Sequence, residues 1–162
     1  MGTEIERKFL LVGNNWKKLA RGIVYRQGYL HSSRERTVRV RIAGNRGFLT
    51  IKGGGVGISR MEFEYQIPVE DAEIILEKLC EKPFIEKKRY KIEYAGFTWE
   101  VDEFFGENDG LTMAEIELTS EEQPFDKPPW VGKEVSGDPR YFNAVLSKFP
   151  YTTWDKKKQG AE

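Results

Sequence analysis

The feature that most constrains this chain is an alternation of period two that returns in eight separate stretches, charged or polar residues at every second position and apolar ones between. In an extended strand alternate side chains share a face, about 6–7 Å apart, so each stretch splits into a charged side and an apolar side. The first, 4–11, sets Glu4, Glu6 and Lys8 against Ile5 and Phe9. Next, 24–31 sets Tyr25, Gln27 and Tyr29 against Val24, Gly28 and Leu30, and 36–42 sets Thr37, Arg39 and Arg41 against Val38, Val40 and Ile42. Residues 48–52 oppose Lys52 and Thr50 to Leu49 and Ile51, and 60–67 oppose Arg60, Glu62 and Glu64 to Met61, Phe63 and Tyr65. In 85–94 Lys87 and Arg89 oppose Tyr90 and Ile92. In 98–104 Glu100 and Asp102 oppose Trp99 and Val101, and in 111–119 Glu115 and Glu117 oppose Ala114, Ile116 and Leu118. One such strand alone reads as a solvated face. Eight obeying one rule do not.

The connections favour neighbours in sequence pairing in space. Gly44-Asn45-Arg46-Gly47 supplies residues that accept positive φ, which predicts a hairpin between the third and fourth strands. Gly53-Gly54-Gly55-Val56-Gly57 lacks the Gly-Lys-Ser/Thr ending of a phosphate loop and reads as a hairpin connection. Between the strands, 16–21 reads as a short covering helix. Residues 70–80 read as an amphipathic one, with Ala72, Ile75, Leu76, Leu79 and Cys80 on one face. Asp138 before Pro139 is a helix start, predicting a terminal helix over 139–148.

Eight strands in hairpin order predict a mainly β (α+β) fold, an antiparallel closed barrel with a few outer and terminal helices. The apolar faces would pack outward against helices and loops, leaving the charged faces inside. Length fits one domain over 1–154, with 155–162 expected to be a disordered tail. Lys+Arg and Asp+Glu both number 26, so no global charge steers the chain to nucleic acid or to an anionic membrane. No apolar run reaches a membrane span, and the start is not that of a signal peptide, so a cytoplasmic protein is expected. Monomer and homodimer are not distinguished. Cys80, the single cysteine, falls on the apolar helix face and reads as a small buried hydrophobe.

A lumen so charged costs several kcal/mol per ion, and a bound polyanion with its metal would relieve that cost. Clustered Arg and Lys suit phosphate, the former as planar forks and the latter as point charges. Paired carboxylates suit hard divalent ions such as Mg2+ or Mn2+, whereas His31 as the one histidine argues against zinc.

Taken together, Glu4-x-Glu6-x-Lys8, Arg39-x-Arg41, Lys52, Glu62-x-Glu64, Lys87-x-Arg89, Glu100-x-Asp102 and Glu115-x-Glu117 resemble the CYTH or triphosphate tunnel metalloenzyme superfamily. The likeness runs from residue 4 to about 148 and is greatest to its small stand-alone tripolyphosphatases; the stretch from Trp130 to Ser136 with Arg140-Tyr141 resembles the family's C-terminal segment. It implies an eight-stranded tunnel and divalent-metal hydrolysis of inorganic tripolyphosphate, with nucleoside triphosphates as further substrates. By the same resemblance Glu4, Glu6 and Glu117 hold the catalytic metal, and Glu115 with Asp102 or Glu100 a second metal or water. Lys8, Arg39, Arg41, Lys52, Lys87 and Arg89 bind phosphates. Glu62 and Glu64 either orient the basic side chains or bind metal. Tyr29 either pairs with Lys87 or is a packed aromatic. In-line attack of water would need a carboxylate base such as Glu4 or Glu6, or none. Thiamine triphosphatase, adenylyl cyclase and a polyphosphate binder without turnover stay open as alternatives.

Overall fold

In a computed structural model of the protein, the described residues are 2–55 and 57–154; the tail expected over 155–162 lies outside them. Nine strands run β1 Thr3–Leu11, β2 Gly22–Ser32, β3 Arg36–Ala43, β4 Arg46–Gly53, β5 Ser59–Ile67, β6 Ile85–Tyr94, β7 Phe97–Phe104, β8 Thr112–Glu117 and β9 Val131–Glu134. They form one antiparallel sheet in the order β5-β4-β3-β2-β6-β7-β8-β1-β9, which a β5–β1 pairing closes. The closure works because β1 divides its edge. Residues 3–5 pair with β5, whereas Phe9 and Leu11 on the same flank pair with β9. All eight predicted strands are present. The ninth follows from Pro128-Pro129 turning the chain back along β1, a pairing no local periodicity signals.

The apolar faces point outward under two kinds of cover, and a third fills one end of the barrel from within. Phe9, Tyr90, Trp99, Val101 and Ile116 pack beneath Trp16 and Trp130, with Phe125 edge-on to Trp99 at 5.8 Å. The α1 helix, Val69–Lys78, lays Ala72 and Leu76 on Val40 and Ile42. Cys80 is buried there as expected, and burial pushes its thiol up to about 11, while Leu79 turns out to solvent as the helix ends. Along the outer flank of β4 and β5, Ile51, Met61, Phe63 and Tyr65 stay exposed, so cover is not complete.

The third kind of cover enters the barrel. At one end the inward positions become apolar, with Ile85, Phe104 and Met113, and the C-terminal segment seats Val135, Tyr141 and Leu146 on them. The helix expected over 139–148 is therefore broken. Asp138 does cap, accepting from Arg140 N, but the turn Pro139–Tyr141 is a 3-10 helix, Phe142 is extended and α2 spans only Asn143–Leu146. Burying Tyr141 and Leu146 in one end of a barrel requires that bend. Likewise the helix expected over 16–21 is one 3-10 turn, Asn15–Lys18, pinned by buried Trp16.

Helix α1 lies close to the sheet because Gly47 leaves it room: a Cβ there would stand 2.8 Å from Ala72 Cβ and 3.1 Å from Ile67 O. Gly47→Ala should lower stability by about 1–3 kcal/mol through overpacking, read from urea unfolding midpoints. An unchanged midpoint would mean that α1 is not packed this tightly.

Candidate functional site

The pleat of the barrel carries the charged faces into the lumen, and strand register decides who meets whom. Glu6 stands opposite Glu117 and Lys8 opposite Glu115 across β1 and β8. Arg89 stands opposite Asp102, Arg39 opposite Thr50 and Lys52 opposite Glu62. The predicted lumen residues share the inward parity of their strands; Lys87 is only 1% and Asp102 only 2% exposed, whereas Glu64 and Glu117 are exposed.

The basic side of this interior is anchored but not exhausted. Arg89 lays its fork on Asp102, Nε to Oδ1 and Nη2 to Oδ2, each at 2.8 Å, and Nη1 donates to Glu100 at 3.2 Å. Lys87 Nζ bridges Asp102 Oδ2 at 2.9 Å and Asn143 Oδ1 at 2.8 Å, leaving one of its three N–H donors over. Arg39 Nη2 donates to Thr50 and Glu64, while its Nε is buried without a hydrogen-bond partner. Arg41 spends Nε on Gln27 Oε1 at 2.8 Å and stacks on the Tyr25 ring 4.9 Å away; among the described residues its two Nη groups make no hydrogen bond. Burial and the neighbouring Arg39 and Arg89 pull Arg41 down to about 10. Burial likewise draws Lys87 down to about 7, with Arg89 and Arg41 adding to it against Asp102. Crowded cations with donors in reserve are what a polyanion would satisfy.

The acidic side shows the converse. Lys8 donates to Glu115 at 2.5 Å, and against the cost of burial Lys8, Arg89 and Lys87 hold that carboxyl far below its usual range. Asp102 is lowered the same way by Arg89 and Lys87. Lys52 takes Glu4 at 2.9 Å. Glu6 is left with Lys8 at 3.9 Å, and burial followed by Glu115 and Glu4 pushes it up to about 8. Burial and Glu4 raise Glu62 and Glu117 as well. Unmatched carboxylate oxygens without histidine or cysteine fit a hard divalent cation. Among the described residues no three carboxylates are gathered at ligand distance, and Glu4 and Glu115 are paired with Lys52 and Lys8.

Two expectations look different in place. Asp102 and Glu115, which the resemblance offers to metal, are each bonded to two cations here, Asp102 to Arg89 and Lys87 and Glu115 to Lys8 and Arg89. Tyr29 is buried beside Arg41, and among the described residues no hydrogen bond joins it to Lys87. Gln27, Thr50 and Asn143 belong to the network and were not singled out from sequence. For Gln27 and Thr50 the signal was available, since both sit in inward register with Tyr25 and Lys52.

A cavity of about 440 Å³ opens at the end opposite the C-terminal segment, beside Tyr25 and Arg89, and is lined by Arg21, Arg46 and Lys91. The CYTH domain model matches residues 2–142, the whole of this barrel. The chain belongs to the CYTH family. An inorganic triphosphatase of Acetivibrio thermocellus is 58% identical over 151 residues, covering 93% of this chain and 97% of that protein. One of Nitrosomonas europaea is 40% identical over 149 residues, covering 90% and 97%. The solved structure of an inorganic triphosphatase superposes with a TM-score of 0.64 at 34% identity, over 88% of this chain and 96% of that one. No helix among the described residues is long and apolar enough to cross a membrane.

The raised carboxyl of Glu6 ties this CYTH lumen to pH. A carboxyl moved from 4.5 unfolded to about 8 folded favours folding fully below pH 4.5 and loses that contribution as pH rises through 8. In chelator, melting temperature should fall between pH 5 and 8 more steeply for the wild type than for Glu6→Gln, by about 3 °C or more. Parallel curves would show that Glu6 has a counter-charge the structure does not reveal.

Proposed function

We propose that this chain is an inorganic triphosphatase, hydrolysing tripolyphosphate to orthophosphate and diphosphate with a divalent metal ion. The observation that carries it is the division of one lumen into cations holding spare donors and carboxylates short of positive charge. The identities of 58% and 40% to inorganic triphosphatases support the same reading.

Arg39, Arg41 and Lys87 grip phosphate oxygens with the donors they hold in reserve. Lys8, Lys52 and Arg89, paired with carboxylates at rest, add phosphate contacts and positive field. Glu4, Glu6 and Glu117 are the set that would hold the metal, with Glu62 and Glu100 at its edge. Asp102 and Glu115 serve as counter-charges that aim Lys87, Arg89 and Lys8. Glu64, bonded to Thr50 at 2.6 Å and to Arg39, orients that arginine. A bound Mg2+ or Mn2+ would supply Lewis-acid polarisation of a phosphoryl oxygen. Water attacks the terminal phosphorus in line, its proton passing to a carboxylate of the Glu4 and Glu6 pair. The bond to the bridging oxygen breaks, and the charge gathering on the diphosphate falls on Arg and Lys. The cavity at the open end leaves room for a group attached to the triphosphate, which makes nucleoside triphosphates a second substrate class.

Phosphate release from tripolyphosphate should appear with Mg2+ or Mn2+ and vanish in chelator; no release with either metal would sink the assignment. Arg41→Ala, which removes two Nη groups that make no hydrogen bond or ion pair among the described residues, should cut kcat/KM roughly 10²-fold while melting stays within a few degrees. Full activity in that variant would remove Arg41 from the phosphate site.

A further inference from the structure

The C-terminal segment does more than stopper one end of the barrel. Tyr141, 1% exposed, and Leu146, fully buried, anchor it on Ile85, Phe104 and Met113. Extended Phe142 between the 3-10 turn and α2 then delivers Asn143 to the polar boundary of that plug. There Asn143 Oδ1 accepts from Lys87 Nζ at 2.8 Å and from Gln27 Nε2 at 3.2 Å. Gln27, fully buried, passes the contact on, its Oε1 accepting from Arg41 Nε at 2.8 Å.

The polarity of this relay is forced at both ends. Lysine and arginine only donate, so an oxygen must face each of them. With Oδ1 turned to Lys87, the glutamine must offer its NH2 to Asn143 and its oxygen to Arg41. One amide oxygen from α2 therefore restrains two lumen cations on two different strands. Lys87 has four side-chain torsions and, without Asn143, Asp102 is the one hydrogen-bond partner left to direct it among the described residues, beside the Phe104 ring 5.4 Å away. Arg41 would keep its stack on Tyr25 but lose the fixed glutamine that sets the rotation of its fork.

We propose that Asn143 is a positioning residue for the phosphate cradle, acting on Lys87 directly and on Arg41 through Gln27. The inference rests on the reading of Lys87 and Arg41 as phosphate-binding groups. It makes the terminal segment a working part of the lumen through an uncharged side chain.

Titration calorimetry of tripolyphosphate in chelator reads the effect without turnover. Asn143→Ala should weaken binding about tenfold, the loss of one charge-assisted hydrogen bond, with melting within a few degrees of wild type. Asn143→Leu, which keeps the volume and removes the acceptor, should do the same. Placed in a Lys87→Met background, Asn143→Ala should cost less than about threefold more, because its main target is gone. A full tenfold loss in that background would mark a general structural role and overturn the proposal, as would unchanged affinity in both single variants. Kinetics with Mn2+ separate this from the broader assignment. A wild type that binds tripolyphosphate without hydrolysing it would end the triphosphatase reading and leave the binding cycle to judge Asn143; one that does not bind at all would end both.

Discussion

Asp102 between Lys87 and Arg89 is the interaction on which the lumen depends. One carboxylate, 2% exposed, answers two cations that are 1% and 6% exposed. Each ion taken from water costs several kcal/mol, and only paired geometry returns it. The return here comes from register. Arg89 faces Asp102 directly across β6 and β7, so the fork closes on the carboxylate in two parallel bonds, and Lys87 reaches the same oxygen from two residues along. Remove that carboxylate and β6 is left with Lys87 and Arg89, two buried like charges two residues apart, without the counter-charge they share.

From this fixed point the charge pattern spreads unevenly. Glu115 is held by Lys8 and Arg89, and Glu4 by Lys52, but Glu6 and Glu117 face one another across a strand pair; Glu6 has only the distant Lys8 at 3.9 Å among the described residues. At the other side, among the described residues, Arg41 ends in Nη donors without a hydrogen bond and Arg39 keeps a buried orphan N–H. The resting protein therefore carries both halves of its imbalance in one interior, a shortage of positive charge beside a surplus of donors. A divalent ion and a polyphosphate are complementary to these halves, and to each other.

Much of this was legible in the sequence because strand register preserves a local rule. Period two alone places Glu4, Glu6 and Lys8 on one face, and eight repetitions of the rule force that face inward. What local pattern could not convey is who bonds to whom. Asp102 reads as a metal ligand until Arg89 and Lys87 are seen to claim it, and this comes from the register of the β6–β7 hairpin. The broken terminal helix was illegible for a related reason: Asp138-Pro139 begins a helix, but the barrel end needs both Tyr141 and Leu146, and tertiary burial outweighs a continuous helix over 139–148. The turn of parity to Leu10, Ile85, Phe104 and Met113 at one end was the overlooked hint of a plug. β9 depends on pairing between residues 9–11 and 131–134, which no window along the chain contains.

The most direct measurement is anomalous diffraction from crystals soaked with Mn2+ and imidotriphosphate, a triphosphate whose bridging nitrogens resist hydrolysis. The account predicts a manganese peak within bonding distance of Glu4, Glu6 and Glu117, and the phosphate chain against Arg39, Arg41 and Lys87. Manganese bound on the outer surface, or a phosphate chain confined to the Arg21 and Arg46 mouth with the lumen pairs unchanged, would contradict it.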